Sequence, residues 1–169
     1  IICNNNSFNG YIYKDGYCYY SIAKYDKNSN DPNGNVVGAI KNTEMTRKKY
    51  NLPESFKDFE KYVINNELNG ETKLNNFKIK MINYCQKILE ANKGNICIFK
   101  NIKNSIKFGI YAMDIEIDKD FNPYIFEANC YFTRFNMQKR LGHMVANMYN
   151  DIYYKIGISN KEINGMWAL

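Results

Sequence analysis

FGIYAMDIEIDKDFNPYIFEAN, residues 108–129, alternates apolar and polar side chains on both sides of a turn. Successive side chains of a strand point to opposite faces. Ile110, Ala112, Asp114, Glu116 and Asp118 therefore share one face of a first strand, with Tyr111, Met113, Ile115 and Ile117 on the other. Lys119-Asp120-Phe121-Asn122 supplies turn residues, and Pro123 opens a return strand. A four-residue loop there predicts Asp118 opposite Pro123, Asp114 opposite Glu127, and Asn129 opposite Ala112, whose small side chain leaves room for the amide. Tyr124 and Phe126 are expected against Met113, Ile115 and Ile117, where their apolar surface would fix the register.

Directly opposed Cβ atoms in such a ladder lie about 4.5–5.5 Å apart, and like charges there are destabilising. Two carboxylates and an amide oxygen on one patch suit a hard divalent cation, above all Mg²⁺ shared with substrate phosphates. The plainer alternative for the same residues is the solvated face of an ordinary hairpin.

The remaining composition narrows the classes. The chain has 169 residues, the size of one ordinary domain, and its 45% hydrophobic content can bury a core. It has no run of about 18 apolar residues to span a membrane. It opens on Ile1 directly into structured-looking sequence, which suggests a start internal to a longer protein. The net charge of +6 is spread along the chain and favours acidic partners. Nucleic acid is unlike the pattern, because zinc spacing, a helix-turn-helix signal and an RNA-binding aromatic motif are all missing. Cys3, Cys18, Cys85, Cys97 and Cys130 form no C-x-x-C pair and are odd in number, as in a reduced cytoplasmic protein. The single His143 leaves no His-rich metal site and is expected to be structural.

Outside the hairpin, Gly10–Ile22 carries Asp15-Gly16 as a two-residue turn signal, predicting Tyr11 opposite Tyr20 and Ile12 opposite Tyr19. Residues 26–35, DKNSNDPNGN, are a polar connection. Three helices are expected. One covers Pro53–Leu68, with Ser55 and Asp58 at capping spacing and Asn69-Gly70 as its stop. The second covers Leu74–Ala91, with Phe77, Met81, Ile82, Cys85, Ile88 and Leu89 inward, ahead of a short buried strand at Ile96–Phe99. The third covers Phe135–Ile156, with Leu141, Met144, Val145, Met148, Ile152 and Tyr153 inward. In the tail, Trp167 is the one residue expected to dock on the body.

The D-x12-E-x-N spacing of Asp114, Glu127 and Asn129, with the glycine-led strand and the turn proline, resembles the metal-binding hairpin of the tubulin tyrosine ligase-like family of ATP-grasp ligases. The strand-KDG-strand near Gly16 and the following Tyr25 are similar to that family too. The resemblance runs from about Gly10 to Ile156. It implies an α+β, ATP-grasp-like fold, an antiparallel sheet built from hairpins and packed by three helices. It also implies that the chain is one unit corresponding to the second half of the catalytic domain, the first half lying elsewhere in cis or in trans.

The resemblance makes Asp114, Glu127 and Asn129 the Mg²⁺ ligands, with Asn129 also facing ATP. Lys41 and Asn42 fall where the family has the threonine and asparagine of an H-x-T-N segment that faces the nucleotide phosphates, while Ala39 replaces its histidine. Cys18 and Tyr19 stand where an arginine is usual. Lys41 and Arg134 are the candidate catalytic cations, and each has the plain reading of an exposed basic side chain. The implied activity joins an amino acid (Tyr, Glu or Gly) to an acidic peptide or a tubulin C-terminal tail through an acyl-phosphate, with association with microtubules as the corresponding location. Two other readings stand beside it: an ATP-grasp remnant without chemistry, serving as a binding module in a larger assembly, and, from charge and tyrosines alone, a nucleic-acid binder.

Overall fold

In a computed structural model of the chain, residues 1–4, 7–20, 26–28, 40–96, 106–129 and 139–169 are described. The elements run β1 (Ile2–Asn4), β2 (Ser7–Asn9), β3 (Tyr11–Tyr13), α1 (Ile40–Tyr50), α2 (Phe56–Asn66), α3 (Gly70–Ile96), β4 (Ile106–Phe108), β5 (Ala112–Ile117), β6 (Pro123–Asn129), α4 (Lys139–Lys155) and β7 (Met166–Ala168). The fold is α+β and every described strand pairing is antiparallel, as expected. Among the described residues the strands form three small sheets, β2-β1-β4, β3-β7 and β5-β6, where one sheet was expected. Among the described residues there are four helices, α1 being the additional one. No described helix is long and apolar enough to cross a membrane.

The described chain divides into two compact units, Ile1–Lys14 with Glu71–Leu169, and Asp15–Gly70. In the first, Leu74, Phe77, Met81 and Cys85 form a buried stripe on α3 at helical spacing, and Met148 and Ile152 do the same on α4, while Ile88 and Tyr153, expected inward, stand 39% and 41% exposed at the edges of those stripes. Met113 of β5 reaches this core, its Sδ lying 3.9 Å from Cys85 Sγ.

In the second unit, Ser55 caps α2 as its spacing predicts. Its Oγ accepts the Asp58 backbone N–H at 3.1 Å and donates to Asp58 Oδ2 at 2.9 Å. That hydrogen bond, followed by the Lys61 ammonium, holds the Asp58 carboxyl below its ordinary value. A depressed pKa means stabilisation that is present above the unfolded value and is lost as the solution is acidified through the folded one. We expect the Asp58 titration, followed by NMR, to move back up in Ser55→Ala while the first turn of α2 frays. An unmoved midpoint would show that the cap does not set it.

Three expectations are corrected here. Asp15-Gly16 does not close a hairpin, so Tyr11 does not face Tyr20 and Ile12 does not face Tyr19. Ile12 pairs instead with Trp167 of β7, and Tyr11 with Ala168. The local turn signal is overridden because the Asp15 carboxylate accepts the N–H groups of Gly16 (2.9 Å) and Lys57 (3.3 Å), and Gly16 O accepts from Phe56 N at 2.9 Å. These contacts satisfy the otherwise unpaired start of α2.

Asn69-Gly70 does not simply end a helix either. Asn69 takes a left-handed φ of 55°, and buried Gly70 starts α3 pressed against the Val63 carbonyl, where a Cβ would collide. Finally, α3 continues through Ile96, so the strand expected to begin there does not; its remaining residues, 97–99, lie outside the described set, as do residues 29–35 of the polar connection.

Candidate functional site

The β5–β6 hairpin carries the candidate site. Its register pairs Ala112 with Asn129, Met113 with Ala128 and Asp114 with Glu127, as the alternation predicts. Asp114 and Glu127 are both exposed, and Asn129 is half-buried on the same face.

Nearer the turn the register shifts by one residue. Ile115 faces Ile125, Glu116 faces Tyr124 and Ile117 faces Pro123. Asp118 therefore does not face Pro123. Phe126 is the extra residue of a β-bulge and stands 70% exposed. Tyr124, expected on the apolar face, joins Glu116 on the acidic one and is 52% exposed. The apolar face is made instead by Met113, Ile115, Ile117, Pro123 and Ile125.

The cause lies in the turn. Asp118 closes a wider loop than four residues, its carboxylate accepting the N–H groups of Asp120 and Asn122, both at 2.8 Å, and the Asn122 amide at 2.9 Å. Those bonds, the Asn122 side chain first, hold its carboxyl below the ordinary value. Phe121 adopts a left-handed φ of 60° because its ring is buried beneath Lys73, whose Nζ lies 5.3 Å from the ring centre. Turn propensity alone treats Phe121 as loop filler, so it misses this anchor. The bulge then restores the acid pair to register.

Among the described residues, Asp114 and Glu127 make no salt bridge or side-chain hydrogen bond. No three described His, Cys, Asp or Glu side chains converge into a metal cage. The hairpin offers two carboxylates and one amide oxygen. That donor set is incomplete for a dedicated cage but suits an ion that takes its other ligands from phosphates and water. Beside the hairpin, a groove is lined by Lys80, Tyr84, Lys87 and Ile88 of α3 together with Tyr124 and Phe126. Lys80 Nζ donates to Asn122 Oδ1 at 2.5 Å, tying α3 to the turn.

The other candidates are not gathered at the hairpin by anything described. Lys41 and Asn42 lie in the second unit, on the first turn of α1, and their side chains are outside the described set. Arg134, Tyr25 and Ala39 also lie outside it. His143 is exposed on α4. Burial pushes the Cys18 and Cys85 thiols up to about 11, so neither is a thiolate nucleophile near neutral pH.

Sequence reasoning missed Tyr124 as a member of the acid face. The signal available for it was Asp118 itself: read as a turn-capping aspartate it widens the loop to residues 118–122, and Ile117 opposite Pro123 then sets Tyr124 opposite Glu116.

A family model described as the tubulin-tyrosine ligase family matches residues 1–156. Neither a curated protein nor a solved structure matches the chain.

Proposed function

This chain belongs to the tubulin-tyrosine ligase family, and with it to the ATP-grasp-like ligases; on that premise we propose that it takes part in ATP- and Mg²⁺-dependent ligation of an amino acid to an acidic peptide, such as a tubulin tail. In this reaction a peptide carboxylate takes the γ-phosphoryl group of ATP, releasing ADP. The amine of the incoming amino acid then displaces phosphate and forms the amide. When bound, Mg²⁺ offsets the negative charge of the transferring group.

The observation that carries the reading is the direct opposition of Asp114 and Glu127, with Asn129 on the same face. A like-charge pair is costly in a bare ladder, and a shared cation reverses that cost. Asp114 and Glu127 would supply carboxylate oxygens and Asn129 an amide oxygen. Lys41 and Asn42 are proposed as phosphate contacts and Arg134 as a partner for a phosphate or substrate carboxylate, positions that rest on the family motif. The +6 charge, together with Lys80 and Lys87 beside exposed aromatics next to the acid face, supports an acidic acceptor.

Calorimetric titration of Mg²⁺-ATP tests this on the longest natural form of the polypeptide. Heat of binding is expected for the parent and not for Asp114→Ala/Glu127→Ala. Equal heat in both would remove the hairpin from the reaction. No heat in either would favour the remnant reading.

A further inference from the structure

Residues 157–169 lie beyond the stretch that the family model matches, yet the fold holds them closely. After α4 the chain turns at Gly157, φ 80°, and the N–H groups of Ile158 and Ser159 both reach the Tyr153 carbonyl, at 2.8 and 3.1 Å. The Asn150 amide donates to the Lys161 carbonyl at 2.8 Å. Fully buried Asp151 accepts the N–H groups of Ile163 (2.6 Å) and Asn164 (3.2 Å), and Lys155 pairs with Glu162 at 3.0 Å. Asn164 Nδ2 then donates to the Tyr13 hydroxyl at 2.6 Å. Gly165 turns the chain at φ 71°, and β7 runs antiparallel along β3 until Leu169 N donates to the Gly10 carbonyl at 2.9 Å. Gly10 permits that approach, since a Cβ there would collide with Leu89 and crowd Leu169.

Among the described residues β7 is the sole ladder partner of β3, because Asp15-Gly16 is engaged with α2. We propose that residues 157–169 are a latch, a strand donated in cis to a peptide-binding seat built from β3 and the Asn150–Lys155 turn of α4. The latch opens as a unit while the β5–β6 hairpin stays closed. Its ligand class is an extended peptide that adds a strand to an open edge, with an Asn-Gly-x-Trp core that supplies the amide for Tyr13, the left-handed turn, and an indole that meets Lys78 Nζ at 5.8 Å.

Ile158 and Ile163 of the latch are 71% and 49% exposed, and Met166, Trp167 and Leu169 are half-buried, so none of its large apolar side chains is fully enclosed. Segments of that kind open at lower free energy than a packed helical core. The proposal does not depend on nucleotide binding.

Hydrogen–deuterium exchange on the full chain and on Asn164→Ala/Trp167→Ala tests it, with a synthetic peptide of residues 159–169 added in trans. The variant is expected to exchange its 11–13 amides about tenfold faster or more, the scale of a lost hydrogen bond. Its 112–129 amides should stay within about twofold of the parent. The peptide should restore slow exchange to the variant and leave the parent, whose seat is filled, unchanged. The proposal is overturned by parallel acceleration at 112–129, by loss of helical signal throughout the variant, by unchanged 11–13 exchange, or by a peptide that protects neither chain or both.

Discussion

Replacing Asp151 with alanine is expected to lower the urea midpoint of the Trp167 fluorescence transition by about 1 M or more, a loss of about 2–5 kcal/mol. Asp151 is 0% exposed, and its carboxyl satisfies two backbone donors of the 163–164 turn. Alanine leaves both N–H groups facing protein, at about 1–3 kcal/mol each. Asp151→Asn keeps one acceptor oxygen but presents an NH₂ donor where the second accepts, so it should fall between alanine and the parent. Trp167 is the chain's one tryptophan and lies in β7, just beyond that turn, so its emission reports the affected region directly. A shift smaller than about 0.3 M for alanine would mean that the turn finds other partners without cost.

The same residue shows where a sequence reading stops. Asp151 follows Met148 by three residues, so helical spacing sets it beside the buried stripe, but only the return of residues 163–164 gives its carboxylate donors to accept. Asp15-Gly16 fails in the opposite direction. Its local preference is for a hairpin, but the start of α2 offers it unpaired donors, and tertiary contact prevails. Helix α1 escaped notice because its described side chains form no buried apolar stripe to announce it: Met45 and Tyr50 are 59% and 56% exposed. Its end does carry signals, Arg47-Lys48-Lys49 in the last turn and Asn51 beyond it at φ 49°.

The core stripes of α3 and α4 were legible because burial imposes the helical repeat on the sequence. The faces of the two strands were legible because the period of a strand is two, but the pairing of Asp114 with Glu127 was expected from a four-residue loop and holds because the bulge at Phe126 offsets the longer one. Lys41 and Asn42 had no such geometric support. They were placed by motif alone, and the helix that holds them has no periodic signal at those positions.

Asp114→Asn should act with opposite signs on stability and on binding. In metal-free solution it removes one of two opposed charges and should stabilise the chain by about 0.2–1 kcal/mol. Because both side chains are exposed, that gain should shrink as salt is added. With Mg²⁺-ATP the same substitution should weaken binding about a hundredfold or more, each tenfold being about 1.4 kcal/mol. The rise in melting temperature that ligand gives the parent should disappear with it. Glu127→Gln should match Asp114→Asn on both counts, since the two face each other.

Glu116→Gln is the control. It shares the acid face, but across the bulge it meets Tyr124, so its binding should remain within about threefold of the parent, less than 1 kcal/mol. An Asp114→Asn chain that kept its Mg²⁺-dependent melting shift would separate the acid pair from the metal. The bulge gives this comparison its force. Phe126 absorbs the register error set by the Asp118 turn before the ladder reaches Glu127, so the opposition of the two acids is fixed by the strands beyond the bulge and stands apart from the turn.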